Sequence, residues 1–598
     1  MQEYATPPLA ELAPDACLVD AVARAAQERP DDVVFARRAG DGWSPVTARE
    51  FADEVAGLAA GLVARGVQPG DRVGLMSRTR YEWTLVDYAI WTAGAVTVPV
   101  YETSSAEQVA WALSDSGAVL VVVETAAHAA AVAEGADGLP DLRSVVQLDS
   151  GGLAELAADG RDVPPGALAE RRATLTADSL ATLIYTSGTT GRPKGCELTH
   201  RNLLAEARAV GALVPHIVGR GASTLQFLPL AHVFARFIQV ACVENGVKMG
   251  HSADIATLLP DFASFRPTFI LAVPRVFEKV YNSARQKAHG EGKGRVFDAA
   301  DRAAVAWSEA LDRGTPSPFL RLQHALFDRL VYSRLRAALG GQVTYAVSGG
   351  GPLGARLGHF FRGVGVTVLE GYGLTESTGP ATVNLPGAIR IGSVGRPLPG
   401  VAVRIAGDGE VLLTGPHLYR GYWRNPDATA ANVSDGWFTT GDLGALDDDG
   451  FLSITGRKKE LLVTSGGKNV APAVLEDRLR AHPLVSQCMV VGDQRPYIAC
   501  LVTLDPEALG PWLTAQGRPA DTPVAALVDD PALLAELQKG VDGANRAVSK
   551  AESIRRFSVL PVDWTEEGGQ LTPSLKLKRN VVMAEAAADV EALYPGSR

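Results

Sequence analysis

Cysteine is scarce in this sequence. Cys17, Cys196, Cys242, Cys488 and Cys500 are the only five among 598 residues. Their odd number and wide scatter exclude a disulfide framework or a clustered zinc site and predict reduced thiols in a cytoplasmic compartment. Positive charge is also in deficit: 57 Lys and Arg against 67 Asp and Glu leave a net charge of −10. No overall basic field gathers polyanions, so no nucleic-acid partner is expected, and any polyanion must be met locally. No apolar run reaches the roughly 18 residues that a membrane-spanning helix needs. The first 17 residues contain no basic stretch followed by an apolar one, so no secretory signal is expected. An internal repeat is likewise missing.

What is there is an ordinary globular mixture, 46% hydrophobic and 21% charged with 62 Gly and 36 Pro, unlike a disordered or collagen-like chain. Single cores stop growing at roughly 250–300 residues, so at least two domains are expected. Between positions 71 and 369, short β-branched runs at 72–76, 118–123, 181–185, 268–273 and 343–347 alternate with helical patterns, the signature of βαβ units. Several runs are apolar without alternation, as in parallel strands covered on both faces. Around 390–422 the character changes to short runs broken by Gly and Pro, which reads as a small β subdomain. Beyond Gly456 come strand, helix and strand patterns typical of a compact α+β unit. The fold class is therefore α/β: a large N-terminal domain of layered α/β subdomains over residues 1–456, then a smaller mobile α+β domain over 457–598. The stretch 505–555 reads as helical decoration of no legible function.

Three loops draw attention. The first, residues 186–195, reads Thr186-Ser187-Gly188-Thr189-Thr190-Gly191-Arg192-Pro193-Lys194-Gly195 after a predicted strand, with a helix pattern near Thr199. Small residues let backbone N–H groups turn toward an anion, hydroxyls add donors and the lysine adds a mobile charge. It is a phosphate cradle, but not a Walker loop, because Lys194 lies between Pro193 and Gly195. The second, Ser348 followed by Gly349-Gly350-Gly351-Pro352-Leu353-Gly354, mimics a dinucleotide fingerprint and reads as the wall of a nucleotide pocket. The third, Glu370-Gly371-Tyr372-Gly373-Leu374-Thr375-Glu376-Ser377, gathers an aromatic that can stack on a purine, a hydroxyl for a phosphate and a carboxylate for Mg²⁺.

Together with Thr440-Gly441-Asp442, Gly456-Arg457-Lys458-Lys459 and Leu575-Lys576-Leu577-Lys578-Arg579, these strings resemble, in order, the motifs of the adenylate-forming superfamily of acyl-CoA synthetases, adenylation domains and luciferase. Phe227-Leu228-Pro229-Leu230-Ala231-His232 and Val273-Pro274-Arg275-Val276-Phe277-Glu278-Lys279 resemble the long-chain fatty acyl-CoA synthetases. The resemblance implies a ligase that uses ATP, Mg²⁺ and coenzyme A: a fatty acid carboxylate attacks the α-phosphate, then a thiol displaces AMP. Its catalysis is charge stabilisation and positioning, with no protein nucleophile.

Residue by residue, the resemblance assigns Thr186, Ser187, Gly188, Thr189, Thr190, Gly191 and Lys194 to the β- and γ-phosphates, and Thr186 with Glu376 to Mg²⁺. Tyr372 lies against adenine, with Gly350, Glu370, Gly371 and Gly373 around it. Thr375 touches the α-phosphate, while Asp442 and Arg457 meet the ribose. Lys576 is the catalytic lysine, Lys459 the hinge, Gly466 and Gly467 border a coenzyme A tunnel, and His232 gates the acyl channel, a plain packed histidine being the other reading. Lys578 and Arg579 are expected on a solvated face. Val463 stands where the family often has a lysine, which leaves one phosphate contact open. A peripheral contact with the inner face of the membrane fits a lipid substrate. The alternatives are an acyl-AMP ligase loading a carrier protein, a dinucleotide-dependent oxidoreductase built on Gly349, Gly351 and Gly354, and a non-catalytic binding protein.

Overall fold

The computed structural model describes every residue except 10, 41, 165, 187–191, 255–256, 573–574 and 596–598. A seven-stranded sheet realises the βαβ expectation. Its parallel centre runs Val96–Val100, Arg72–Met76, Ala118–Val123 and Ser144–Gln147 in spatial order. Every residue of Val96–Val100 and Ala118–Val123 is buried, because the two faces of this sheet belong to separate apolar clusters. Leu180–Thr186 joins the other edge and pairs antiparallel with Lys194–Thr199. The short strand Lys194–Thr199 lies between the phosphate loop and the helix expected near Thr199. Cys196 and Leu198 bury their side chains in a strand before the helix His200–Leu213 starts. Thr199 caps that helix in a reciprocal pair with Asn202.

A five-stranded sheet follows. Phe269–Ala272, Tyr345–Ser348 and Thr367–Leu374 are parallel, and Gly379–Val383 and Arg396–Pro397 continue the sheet antiparallel. The 370–377 segment, expected as a loop, is strand as far as Leu374 and bulges between Tyr372 and Gly373. Glycine is required at 373, since a Cβ there would meet the Gly379 carbonyl oxygen at 1.7 Å.

The small β subdomain is a six-stranded antiparallel sheet that gathers residues from much further apart than 390–422. Only Ala402–Ile405 and Glu410–Thr414 come from that stretch, with Glu3–Ala5, Val433–Ser434, Trp437–Leu446 and Leu452–Arg457 completing it. The C-terminal strands Val485–Val491, Ile498–Leu504 and Ile554–Val559 form their own sheet. Two apolar clusters of its own hold it. The 505–555 stretch is helical at Pro506–Ala515 and Pro531–Asn545, and its Leu513, Leu533 and Leu537 complete one of those clusters. All five cysteines are free and buried. Among the described residues no helix is long and apolar enough to cross a membrane.

Candidate active site

A cleft of about 2360 Å³ opens between the N-terminal sheets and the C-terminal unit, and the three loops singled out above line it. At one end, the register of the hairpin sets Thr186 opposite Lys194. Residues 187–191, the rest of the expected phosphate cradle, lie outside the described residues. The Lys194 ammonium sits 5.0 Å from the centre of the Tyr422 ring, and the Tyr422 hydroxyl donates to Glu376 Oε1 at 2.7 Å. Below them, Cys196 Sγ is 4.0 Å from Thr186 Oγ1. Burial and the adjacent Glu376 carboxylate push this thiol well above its ordinary pKa, so it stays a neutral, inert group. Thr186 and Glu376 thus supply a hydroxyl and a carboxylate, the hard oxygen donors that suit Mg²⁺.

In the middle of the cleft, Glu370 faces the glycine loop and accepts the Leu353 N–H at 3.0 Å. Burial raises its carboxyl to about 7. Gly350 has φ +83°, and a Cβ there would touch the Val273 side chain at 3.6 Å. A Cβ on Gly349 would press on the Phe234 ring at 2.9 Å. Packing therefore requires that glycine, and Glu370 is tied to the loop instead of reaching for a ribose, which disfavours the dinucleotide reading. Gly371 is also tight, since a Cβ there would meet the Thr382 carbonyl oxygen at 3.0 Å.

Tyr372 donates its hydroxyl to Asp442 Oδ2 at 2.7 Å, and Arg457 Nε lies 3.1 Å from Asp442 Oδ1. Asp442 and Arg457 are cross-strand partners on Trp437–Leu446 and Leu452–Arg457, so pairing of those strands fixes this cluster. Burial, then the Asp442 carboxylate, holds the Tyr372 phenol well above its ordinary pKa, which keeps its proton available for donation.

Lys576 enters from the C-terminal unit next to the Leu571–Leu577 bridge, its own N–H bonded to Thr572 Oγ1 at 3.0 Å. Leu575 takes φ +60° there, a conformation costly for leucine and maintained only where surroundings demand it. The side chain is solvent-accessible yet hemmed in by the cleft walls. That partial desolvation, followed by the Arg457 guanidinium, lowers its pKa, while Asp442, Glu376 and Glu460 pull the other way. His232 caps the helix Val233–Asn245, accepting the Phe234 N–H at 3.2 Å. Burial, then Lys576, pushes its pKa down to about 3, so the ring facing the cleft is neutral.

Thr375 begins a 3₁₀ turn in the cleft wall. Lys459 lies in another, Lys458–Glu460, where Lys458 bonds Asp408 and Glu410 at 2.6 and 2.9 Å. Gly466 and Gly467 are exposed in the turn between Leu462–Val463 and Asn469–Val470 and are not brought to the cleft. Arg579 corrects the expectation of a solvated face. It turns inward to Glu476, with Glu460 also beside it, because those carboxylates compensate a half-buried guanidinium.

Residues 22–423 match the AMP-binding enzyme family, and residues 459–598 match the AMP-binding enzyme C-terminal domain. This chain belongs to the AMP-binding enzyme family. Within it, the chain is 54% identical over 95% of both sequences to the long-chain-fatty-acid–CoA ligase FadD15 of Mycobacterium tuberculosis. It is 30% identical, over 94% of its length and 82% of the relative, to the long-chain-fatty-acid–CoA ligase ACSBG2 of Xenopus laevis. Among solved structures, the A domain of a carboxylic acid reductase from Segniliparus rugosus, in complex with AMP and a carboxylic acid, shares the fold with a TM-score of 0.76. Its identity is 22%, over 96% of this chain and 94% of that one. The O-succinylbenzoate coenzyme A synthetase of Bacillus subtilis, in complex with ATP and magnesium, shares it at TM-score 0.66 and 22% identity, over 94% and 98% of the two chains.

Two further residues make contacts that local sequence does not announce. Tyr422 falls within the predicted β subdomain, in the aromatic cluster Tyr419-Arg420-Gly421-Tyr422-Trp423. Arg275 belongs to the Val273–Lys279 string. In the fold it donates to the Ser486 carbonyl and hydroxyl at 2.9 and 3.0 Å, which joins the N-terminal domain to the C-terminal sheet.

Proposed function

We propose that the chain is a long-chain fatty acid–CoA ligase, converting ATP, fatty acid and coenzyme A to acyl-CoA, AMP and diphosphate through an acyl-adenylate. The observation behind this reading is the convergence of Lys576 with Glu376, Asp442 and Arg457 in one cleft. Similarity across 95% of both chains to a protein named for this activity supports it.

In the first half-reaction a carboxylate oxygen of the fatty acid attacks the α-phosphorus of ATP, and the bond to the bridging oxygen breaks as diphosphate leaves. Lys576 places its positive charge between the two anionic groups as they approach, and Thr375 donates to the α-phosphate. The hydroxyl of Thr186 and carboxylate of Glu376 would hold Mg²⁺, which neutralises phosphate charge when bound. Lys194 and residues 186–191 receive the β- and γ-phosphates. Tyr372 stacks on adenine, with Gly350, Glu370, Gly371 and Gly373 shaping the pocket around it. Asp442 keeps acceptor capacity for the ribose hydroxyls beside Tyr372 and Arg457, since a carboxylate has about four lone-pair sites.

In the second half-reaction the thiol sulfur attacks the acyl carbonyl, the bond to AMP breaks and the thiol proton leaves to solvent. The domains 1–456 and 457–598 turn about Lys459 between the halves, which withdraws Lys576 and brings Gly466 and Gly467 toward the coenzyme A tunnel. His232, neutral across the physiological range, gates the acyl channel without a charge to desolvate. The enzyme works in the cytoplasm. AMP and thioester formation measured with acids from acetate to stearate tests the reading: thioester made chiefly from long acids is expected. Absence of acid-dependent AMP overturns it, and acyl-adenylate that coenzyme A does not consume transfers the acceptor role to a carrier protein.

A further inference from the structure

The helix Pro318–Phe327 runs through a π-helical turn, Asp328–Tyr332, into Ser333–Ala338. Along this rod Phe319, Leu322, Leu326 and Leu330 recur at spacings of three, four and four, which places them on one face. Their exposures are 75%, 72%, 55% and 45%. The other side of the rod accounts for its folding. Phe327, Tyr332 and Leu335 are buried, Tyr332 donates its hydroxyl to the Ala300 carbonyl at 2.7 Å, and the His324 ring stacks on Trp307 with centroids 4.1 Å apart. Packing is complete on that side, and four large apolar side chains are left facing outward in a continuous stripe. Single exposed apolar residues need no explanation, but a stripe of this kind marks an interaction surface.

The charge around the stripe indicates the partner. Residues 318–338 hold four arginines and one aspartate, a local charge of +3 in a chain of −10. Asp328 is paired with Arg336 at 2.7 Å. Arg329 and Arg334 are exposed, three residues after Leu326 and four after Leu330, the spacings that put them beside the stripe.

We propose that this face is a membrane-docking surface that seats in the headgroup–acyl boundary of an anionic bilayer, Phe319 and the three leucines inserted and Arg329 and Arg334 on lipid phosphates. The inference rests on the ligase reading only for its purpose: a long-chain acid is held by lipid, and docking brings the enzyme to it. A second copy of the chain is the poorer occupant. Only one of the four is aromatic and each is shielded to between 45% and 75% exposure, so the stripe falls short of the roughly 800 Å² per partner that a stable interface buries. The rod also stands close to the chemistry. It packs on the helix Gly294–Asp312, which packs on Ala355–Val364, the helix that follows the glycine loop of the cleft.

Co-sedimentation of the full-length protein with vesicles of phosphatidylcholine, alone or mixed with phosphatidylglycerol, tests the proposal. The wild type is expected to bind the anionic vesicles, salt-sensitively. Leu322→Glu/Leu326→Glu should weaken partitioning by about tenfold or more, since each buried CH₂ contributes about 0.8 kcal/mol. Arg329→Gln/Arg334→Gln should weaken binding and remove most of its dependence on anionic lipid. Circular dichroism and AMP formation from acid dispersed in buffer, followed in parallel, show that the variants fold and whether the ligase reading stands, independently of vesicle binding. No binding by the wild type, or equal binding by wild type and the leucine variant, overturns the proposal. So does a wild-type dimer in sedimentation equilibrium that the leucine variant dissolves.

Discussion

Tyr422 stands between the two charges at the phosphate end of the cleft, its ring under Lys194 and its hydroxyl on Glu376. Removing that hydroxyl leaves Glu376 without its oriented donor, so Tyr422→Phe should raise the Mg²⁺ concentration for half-maximal AMP formation several-fold, with the rate at saturating Mg²⁺ largely kept. Titration of the rate with Mg²⁺ checks this. Glu370 makes a second prediction. Its carboxyl rises on folding from an ordinary 4.5 to about 7, so between those values the folded chain binds more protons than the unfolded one. Stability therefore falls as pH rises through that window. Glu370→Gln should flatten this part of the thermal-melting profile, and an unchanged profile would refute the assignment. Lys576, Glu376 and Asp442 were legible because each sits in a short ordered string. Tyr422 was not, because its partners arrive through the antiparallel pairing of Gly421–Tyr422 with Glu197 and Cys196, which local spacing does not encode.

Among the elements, the parallel strands were readable because continuous apolar runs have one physical use, burial on both faces. The strand after the phosphate loop was not: Lys194–Thr199 is short and mixed, and it is strand by virtue of its neighbour. A fully buried ion pair, Asp87 with Arg236, links the helices Tyr81–Thr92 and Val233–Asn245. Thr97 Oγ1 and Gln239 Nε2 also donate to Asp87, at 2.7 and 3.0 Å. Such a pair adds little over an apolar one, but breaking it strands a buried charge. Asp87→Ala should cost about 3–5 kcal/mol in urea unfolding, whereas a loss below about 1 kcal/mol would show that the core relaxes around Arg236.

For the whole molecule, polar contacts away from the hinge also join the two domains. Arg275 holds Ser486, whose hydroxyl passes on to Asp563 at 2.6 Å, and Lys279 pairs with Glu507 at 3.3 Å. These contacts accompany the arrangement in which Lys576 faces the cleft. Arg275→Ala should therefore slow acid-dependent ATP–diphosphate exchange several-fold while leaving thioester formation from synthetic acyl-AMP unchanged. Chain length and the change of pattern beyond Gly456 made a large N-terminal and a smaller C-terminal domain legible in advance. The clasp was not, since nothing in residues 273–279 or near 486 names its partner on the other domain.

The claim on which the rest depends is that Lys576 acts in adenylation and is withdrawn for thioester formation. The direct measurement is both half-reactions in Lys576→Ala beside the wild type: acyl-AMP from ATP and a long-chain acid, and acyl-CoA from synthetic acyl-AMP and coenzyme A. The first should fall by about two orders of magnitude or more, roughly the effect of removing one preorganised charge at a transition state, while the second stays within a few-fold. Equal loss of both, or loss of neither, would contradict it.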